Sequence, residues 1–132
     1  MKYYFLDVVD VTVSRSVDPA LLITIALTIV VEAVLMLLLK YNRIQKAGLD
    51  SLIVNLASVA VGYGLQRLAP SLFEVENIGT LLVLLLITIA VELPVLYLLN
   101  KKKPFMDTAK TCVIMNVVTY LLFYLYVTMT TS

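Results

Sequence analysis

The chain has 132 residues, 61% of them hydrophobic and 14% charged, with a formal net charge of +1 and a mean hydropathy of +0.99. A soluble domain this small cannot hide so much apolar surface, so a bilayer is expected to solvate much of it. The near-neutral charge argues against nucleic acid as a partner. A single cysteine, Cys112, and the lack of histidine remove a Cys/His zinc site, a CxxC redox pair and an intrachain disulfide.

Residues 1–18 form an N-terminal segment. Its start, MKYYFLDVVD, has no apolar core behind a basic end and does not read as a cleavable signal. Val9, Val11 and Val13 alternate with Asp10, Thr12 and Ser14, a strand-like pattern. Leu6, Val9, Val13 and Val17 also recur at helical spacing, with Asp7, Asp10, Ser14 and Asp18 on another face. A short amphipathic helix in the outer interface, anchored by Tyr3, Tyr4 and Phe5, is favoured over a frayed terminus.

Four apolar stretches follow, at about 20–39, 52–69, 80–99 and 111–129, each near the ~20 residues needed to cross ~30 Å of hydrocarbon. Asp18 and Pro19 suit the start of the first. The second carries Asn55, Ser58, Gly62, Gly64 and Arg67 and is expected to face other helices. Within it, Ser58 with Gly62 and Ala60 with Gly64 are small-x3-small pairs that allow close helix approach. Arg67 is expected to snorkel outward, within reach of Glu74 or Glu76. In the third stretch, Pro94 removes a backbone N–H and crowds the carbonyl of Ala90, which makes it a hinge candidate or a tolerated kink. In the fourth, Tyr120, Phe123, Tyr124 and Tyr126 read as an outer aromatic belt, and Cys112 as a packing residue.

The predicted fold is therefore an all-α membrane protein. It has an N-terminal segment (1–18), a first helical hairpin (19–69), an external loop (70–79) and a second hairpin (80–132). Lys40, Arg43 and Lys46 lie in one connection; Lys101, Lys102, Lys103 and Lys110 lie in another. Such basic loops, 40–50 and 100–110, are expected to be cytoplasmic and both termini non-cytoplasmic.

The hairpins read as a parallel internal repeat. Residues 21–39 align without gaps on 81–99, with Thr28/Thr88 and Glu32/Glu92 among the identities. One added residue in the second loop brings Asn55 onto Asn116 and Ser58 onto Thr119. A pseudo-two-fold axis along the membrane normal would pack them as a four-helix bundle. Glu32 lies eight residues before Lys40, and Asn55 five after Asp50. At ~1.5 Å rise per residue the two are at similar depth, so Glu and Asn of one hairpin can touch.

A carboxylate at membrane depth is costly and marks a functional site by default. Glu32, Glu92, Asn55 and Asn116, with Thr28, Thr88, Ser58 and Thr119 in support, are the candidate residues for binding a proton or a small hard cation with oxygen ligands. A protonated Glu can donate to an Asn carbonyl; an ionised one accepts from the amide. The competing role is interhelical glue, worth roughly 1 kcal/mol per contact. Glutamine would serve as glue without the ionisation risk, which tilts the glutamates toward function.

In size, and in one glutamate midway along the first span, the chain resembles small multidrug-resistance exporters. It departs from them in its second glutamate, its internal repeat and its lack of tryptophan, so it is not assigned to that family. Two functions are expected: a transporter or ion-coupled carrier, or a non-catalytic accessory subunit of a larger membrane complex. An enzyme is disfavoured, since no Ser/His, Cys/His or metal constellation is present, and no cofactor is expected. The expected partners are the lipid bilayer and either further copies of the chain or a larger membrane complex.

Overall fold

The computed structural model describes residues 3–4, 19–75 and 78–131. Four helices make up almost all of them: α1 (Pro19–Leu38), α2 (Ile44–Leu68), α3 (Ile78–Leu99) and α4 (Phe105–Thr131). Helices α2, α3 and α4 are long and apolar enough to cross a membrane; α1 is apolar over Leu22–Leu38. Large apolar side chains such as Leu27, Val30, Leu86 and Leu121 point outward. Apolar residues all round a helix, rather than on one stripe, suit a helix whose outer face meets hydrocarbon.

The expected N-terminal interfacial helix lies outside the described residues except for Tyr3–Tyr4. These two are extended, forming β1, which pairs antiparallel with β2 (Glu74–Val75); Tyr3 lies opposite Val75 and Tyr4 opposite Glu74. A short 3-10 turn, Pro70–Phe73, links α2 to β2.

Helices α2 and α4 begin well before the apolar stretches at 52 and 111. Hydropathy misses these first turns because they are polar, but their helical spacing is intact: Ala47, Asp50, Ser51, Val54 and Asn55 all turn inward. The basic connections shrink accordingly to a few residues each. The first is a tight helix stop. The Tyr41 N–H donates to Met36 O (2.8 Å) and the Lys40 N–H to Leu37 O (3.0 Å), the paired bonds that close a helix with a left-handed residue. That residue is Lys40, at φ 54°, where glycine would be at ease.

The helices pack as a ring, α1 on α2, α2 on α3, α3 on α4 and α4 on α1. The core fills the end of the ring near the basic connections: Met36, Tyr41, Ala47, Val54, Leu96, Cys112 and Met115. Buried positions recur at fixed offsets. Glu32 and Met36 match Glu92 and Leu96; Ala47, Asp50, Ser51, Val54 and Asn55 match Thr108, Thr111, Cys112, Met115 and Asn116. Toward the other end Phe73, Leu81 and Leu84 are also buried, and a cavity opens between the helices. Of the small-x3-small pairs only Ser58 reaches a neighbouring helix among the described residues, through its bond to Glu92; there Ala60 is exposed, and a Cβ added at Gly62 or Gly64 would meet nothing within 4 Å.

Candidate functional site

Helix α1 carries Glu32 one turn before Met36, both on its inward face; α3 carries Glu92 one turn before Leu96 in the same way. Each glutamate retains 1% of its surface.

Glu32 is held from α2. Its Oε2 accepts from Asn55 Nδ2 at 2.5 Å and from Ser51 Oγ at 3.2 Å. Ser51 also reaches the Ile29 carbonyl at 3.0 Å. Glu92 is held from two sides. Its Oε2 accepts from Asn116 Nδ2 on α4 at 2.8 Å, and its Oε1 from Ser58 Oγ on α2 at 2.6 Å. Both asparagines are oriented identically, each Nδ2 also donating to the carbonyl four residues back: Asn55 to Ser51 O at 2.9 Å and Asn116 to Cys112 O at 3.0 Å.

The two glutamates differ in one oxygen. Symmetry would send Thr119 on α4 to Glu32 as Ser58 on α2 goes to Glu92, but Thr119 donates to its own Met115 carbonyl at 2.8 Å. Glu32 Oε1 therefore takes no hydrogen bond among the described residues. No sealed side-chain oxygen or nitrogen there lacks a partner, so this oxygen faces open space. Cys112, at the position matching Ser51, offers Asn116 a sulfur at 3.7 Å in place of a hydroxyl.

That open space is a cavity of about 200 Å³, bordered by all eight candidate residues: Thr28, Glu32, Asn55, Ser58, Thr88, Glu92, Asn116 and Thr119. It runs from the glutamates toward the 3-10 turn, where Phe73 lines it beside Tyr63, Tyr120 and Phe123. The threonines are not glutamate ligands. Thr28 donates to Thr24 O at 3.0 Å; Thr88 donates to Leu84 O at 2.9 Å and lies 2.7 Å from the Tyr120 hydroxyl. Tyr120 and Phe123 thus turn into the cavity rather than joining an outer belt; Tyr124 and Tyr126 remain exposed. Arg67 stacks on the Tyr63 ring, 4.6 Å from its centroid, and donates to the Tyr63 hydroxyl. Pro94 lies within α3, which continues through it to Leu99.

A second polar cluster closes the core end. The carboxylate of Asp50, fully buried, accepts from Asn42 (2.6 Å), Asn100 (2.7 Å) and Lys46 (2.9 Å). Asn42 also donates to Asn100 Oδ1 at 3.2 Å, and Lys46 to the Leu99 carbonyl at 3.2 Å. Beside it the Tyr41 hydroxyl pairs with Thr108 at 2.8 Å, and Lys103 donates to the Tyr41 carbonyl. Burial lifts the Tyr41 phenol above its ordinary pKa, so it stays neutral at physiological pH. This cluster ties both connections together. Sequence reasoning missed it because Asn42, Lys46, Asp50 and Asn100 fell in segments read as basic loops; the inward helical phase of Ala47, Asp50 and Val54 was the available signal.

Among the described residues no group of three or more His, Cys, Asp or Glu side chains is placed to hold a metal. No protein-family model, curated protein or solved structure matches the chain.

Proposed function

We propose that this chain is a multi-pass membrane protein that carries a proton or a small cation on its intramembrane carboxyls, with Glu32 as the loading group. The observation that supports this most directly is the free Oε1 of a carboxyl with 1% of its surface left, facing a cavity between two hairpins. A purely structural carboxyl would be expected to use both oxygens, as Glu92 does. In this reading the four helices are four spans, the basic connections 39–43 and 100–104 lie in the cytoplasm, and the cavity extends toward the opposite side. The recurrence of buried positions at fixed offsets supports a duplicated hairpin as the origin of the two Glu–Asn pairs.

The test is flux in proteoliposomes carrying a pH-sensitive or cation-sensitive dye. Glu32→Gln should abolish it, and Glu92→Gln should lower it severalfold. Unchanged flux in the double variant would remove the carrier reading. A second reading, an accessory subunit of a larger membrane complex, is favoured by the size of the cavity, which lies below the ~300–1,000 Å³ of usual small-molecule sites. Exposed Ala60 and Gly64 would then accept a neighbouring helix. A stoichiometric partner after mild detergent extraction, with no flux in liposomes, would select it.

A further inference from the structure

A second concavity lies at the opposite end of the molecule from the glutamate cavity. It is an open groove of about 520 Å³ between the two connections, walled by Leu37, Lys40, Tyr41, Asn42, Arg43, Lys46 and Lys103. Four of those seven residues are cationic. Lys46 is neutralised by Asp50 at 2.9 Å, and Lys103 is fixed by the Tyr41 carbonyl and lies 4.6 Å from the centre of its ring. Among the described residues no acidic side chain pairs with Lys40 or Arg43. The groove therefore keeps an excess of positive charge contributed by both connections.

Lys40 adds a second argument. It holds the left-handed position that ends α1, at φ 54°, where glycine carries no steric penalty. Keeping a lysine in a costly conformation is the kind of local strain that collects at ligand sites. The rim supplies a third. Leu38 and Ile44, adjoining the groove, are 72% and 71% exposed, an apolar border to a cationic pocket.

We propose that this groove binds a phosphate group, in the first place that of an anionic phospholipid headgroup. The Arg43 guanidinium would grip two phosphate oxygens, with Lys40 and Lys103 as point charges. The acyl chains would run along Leu38 and Ile44. The site is independent of the carrier reading, since it shares no residue with the glutamate cavity.

The experiment uses purified full-length protein in a neutral detergent. It is titrated with phosphatidylglycerol, with zwitterionic phosphatidylcholine and with inorganic phosphate, read by melting temperature and by lipid retained in native mass spectrometry. Phosphatidylglycerol should bind in preference to phosphatidylcholine. The double variant Lys40→Gln/Arg43→Gln should weaken it by about fivefold for each charge removed. Lys101→Gln/Lys102→Gln, with the same loss of charge outside the groove, should leave it unchanged. A response to inorganic phosphate that the groove variant loses, with phosphatidylglycerol inert, keeps the site and assigns it to a soluble phosphate. Equal weakening by both double variants, or no response to either phosphate source, would overturn the proposal.

Discussion

Glu32 and Glu92 occupy equivalent places but take their hydroxyl donors differently: Ser51 shares Oε2 of Glu32 with Asn55, whereas Ser58 takes the second oxygen of Glu92. Ser58 crosses from the first hairpin to close the second carboxyl, while Thr119 bonds within its own helix. A small apolar carbodiimide, which modifies protonated carboxyls it can reach, should therefore label Glu32 and spare Glu92. Ser58→Ala removes the bond to Glu92 Oε1, and labelling of Glu92 should then rise toward that of Glu32; peptide mass spectrometry reads both sites. Equal labelling of the two in the unsubstituted protein would contradict the asymmetry. The pairing of each glutamate with its own asparagine was legible in the chain, because the depth of each side chain follows from helical rise. The crossing of Ser58 was not. Periodicity gives the face a residue occupies, not which of two neighbouring helices that face meets.

Proline at 94 distinguishes α3 from α1, which has Val34 at the matching place. The helix continues to Leu99 although the Ala90 carbonyl loses its usual donor, a weakness two residues from Glu92. Pro94→Val should restore that bond and raise stability by about 1 kcal/mol or more. If the weakness serves as a hinge, the same change should slow flux severalfold; thermal unfolding and liposome assays on one preparation report both. Unaltered flux with raised stability would leave Pro94 a tolerated kink. The existence of all four helices could be read from apolar runs, but their starts could not. The polar first turns of α2 and α4 look like loop to hydropathy, since Asp50 and Thr108 become core residues only when partners satisfy them.

At the scale of the whole bundle, packing is divided. The apolar core and the Asp50 cluster fill one end, and the cavity opens the other. Asp50→Ala should remove the carboxylate that joins Asn42, Lys46 and Asn100, leaving the buried Asn100 amide and the half-buried Asn42 amide each one acceptor short. Lys46, whose side chain is 45% exposed, can turn to water and soften the loss. The expected cost is about 2 kcal/mol, seen as a lower melting temperature in detergent; Lys46→Met should cost less. A neutral Asp50→Ala would show that the cluster holds nothing together.

The position of that cluster matters beyond folding. Any membrane protein that lets an ion reach its middle from one side must deny it exit on the other, or it becomes a short circuit across the charged membrane in which it sits. Asp50 and its amide partners, with the apolar core beside them, close the end of the bundle that carries the basic connections. For a carrier of protons or cations, they would be the insulation: weakening them would drain the host's stored gradient before it impaired delivery of any cargo.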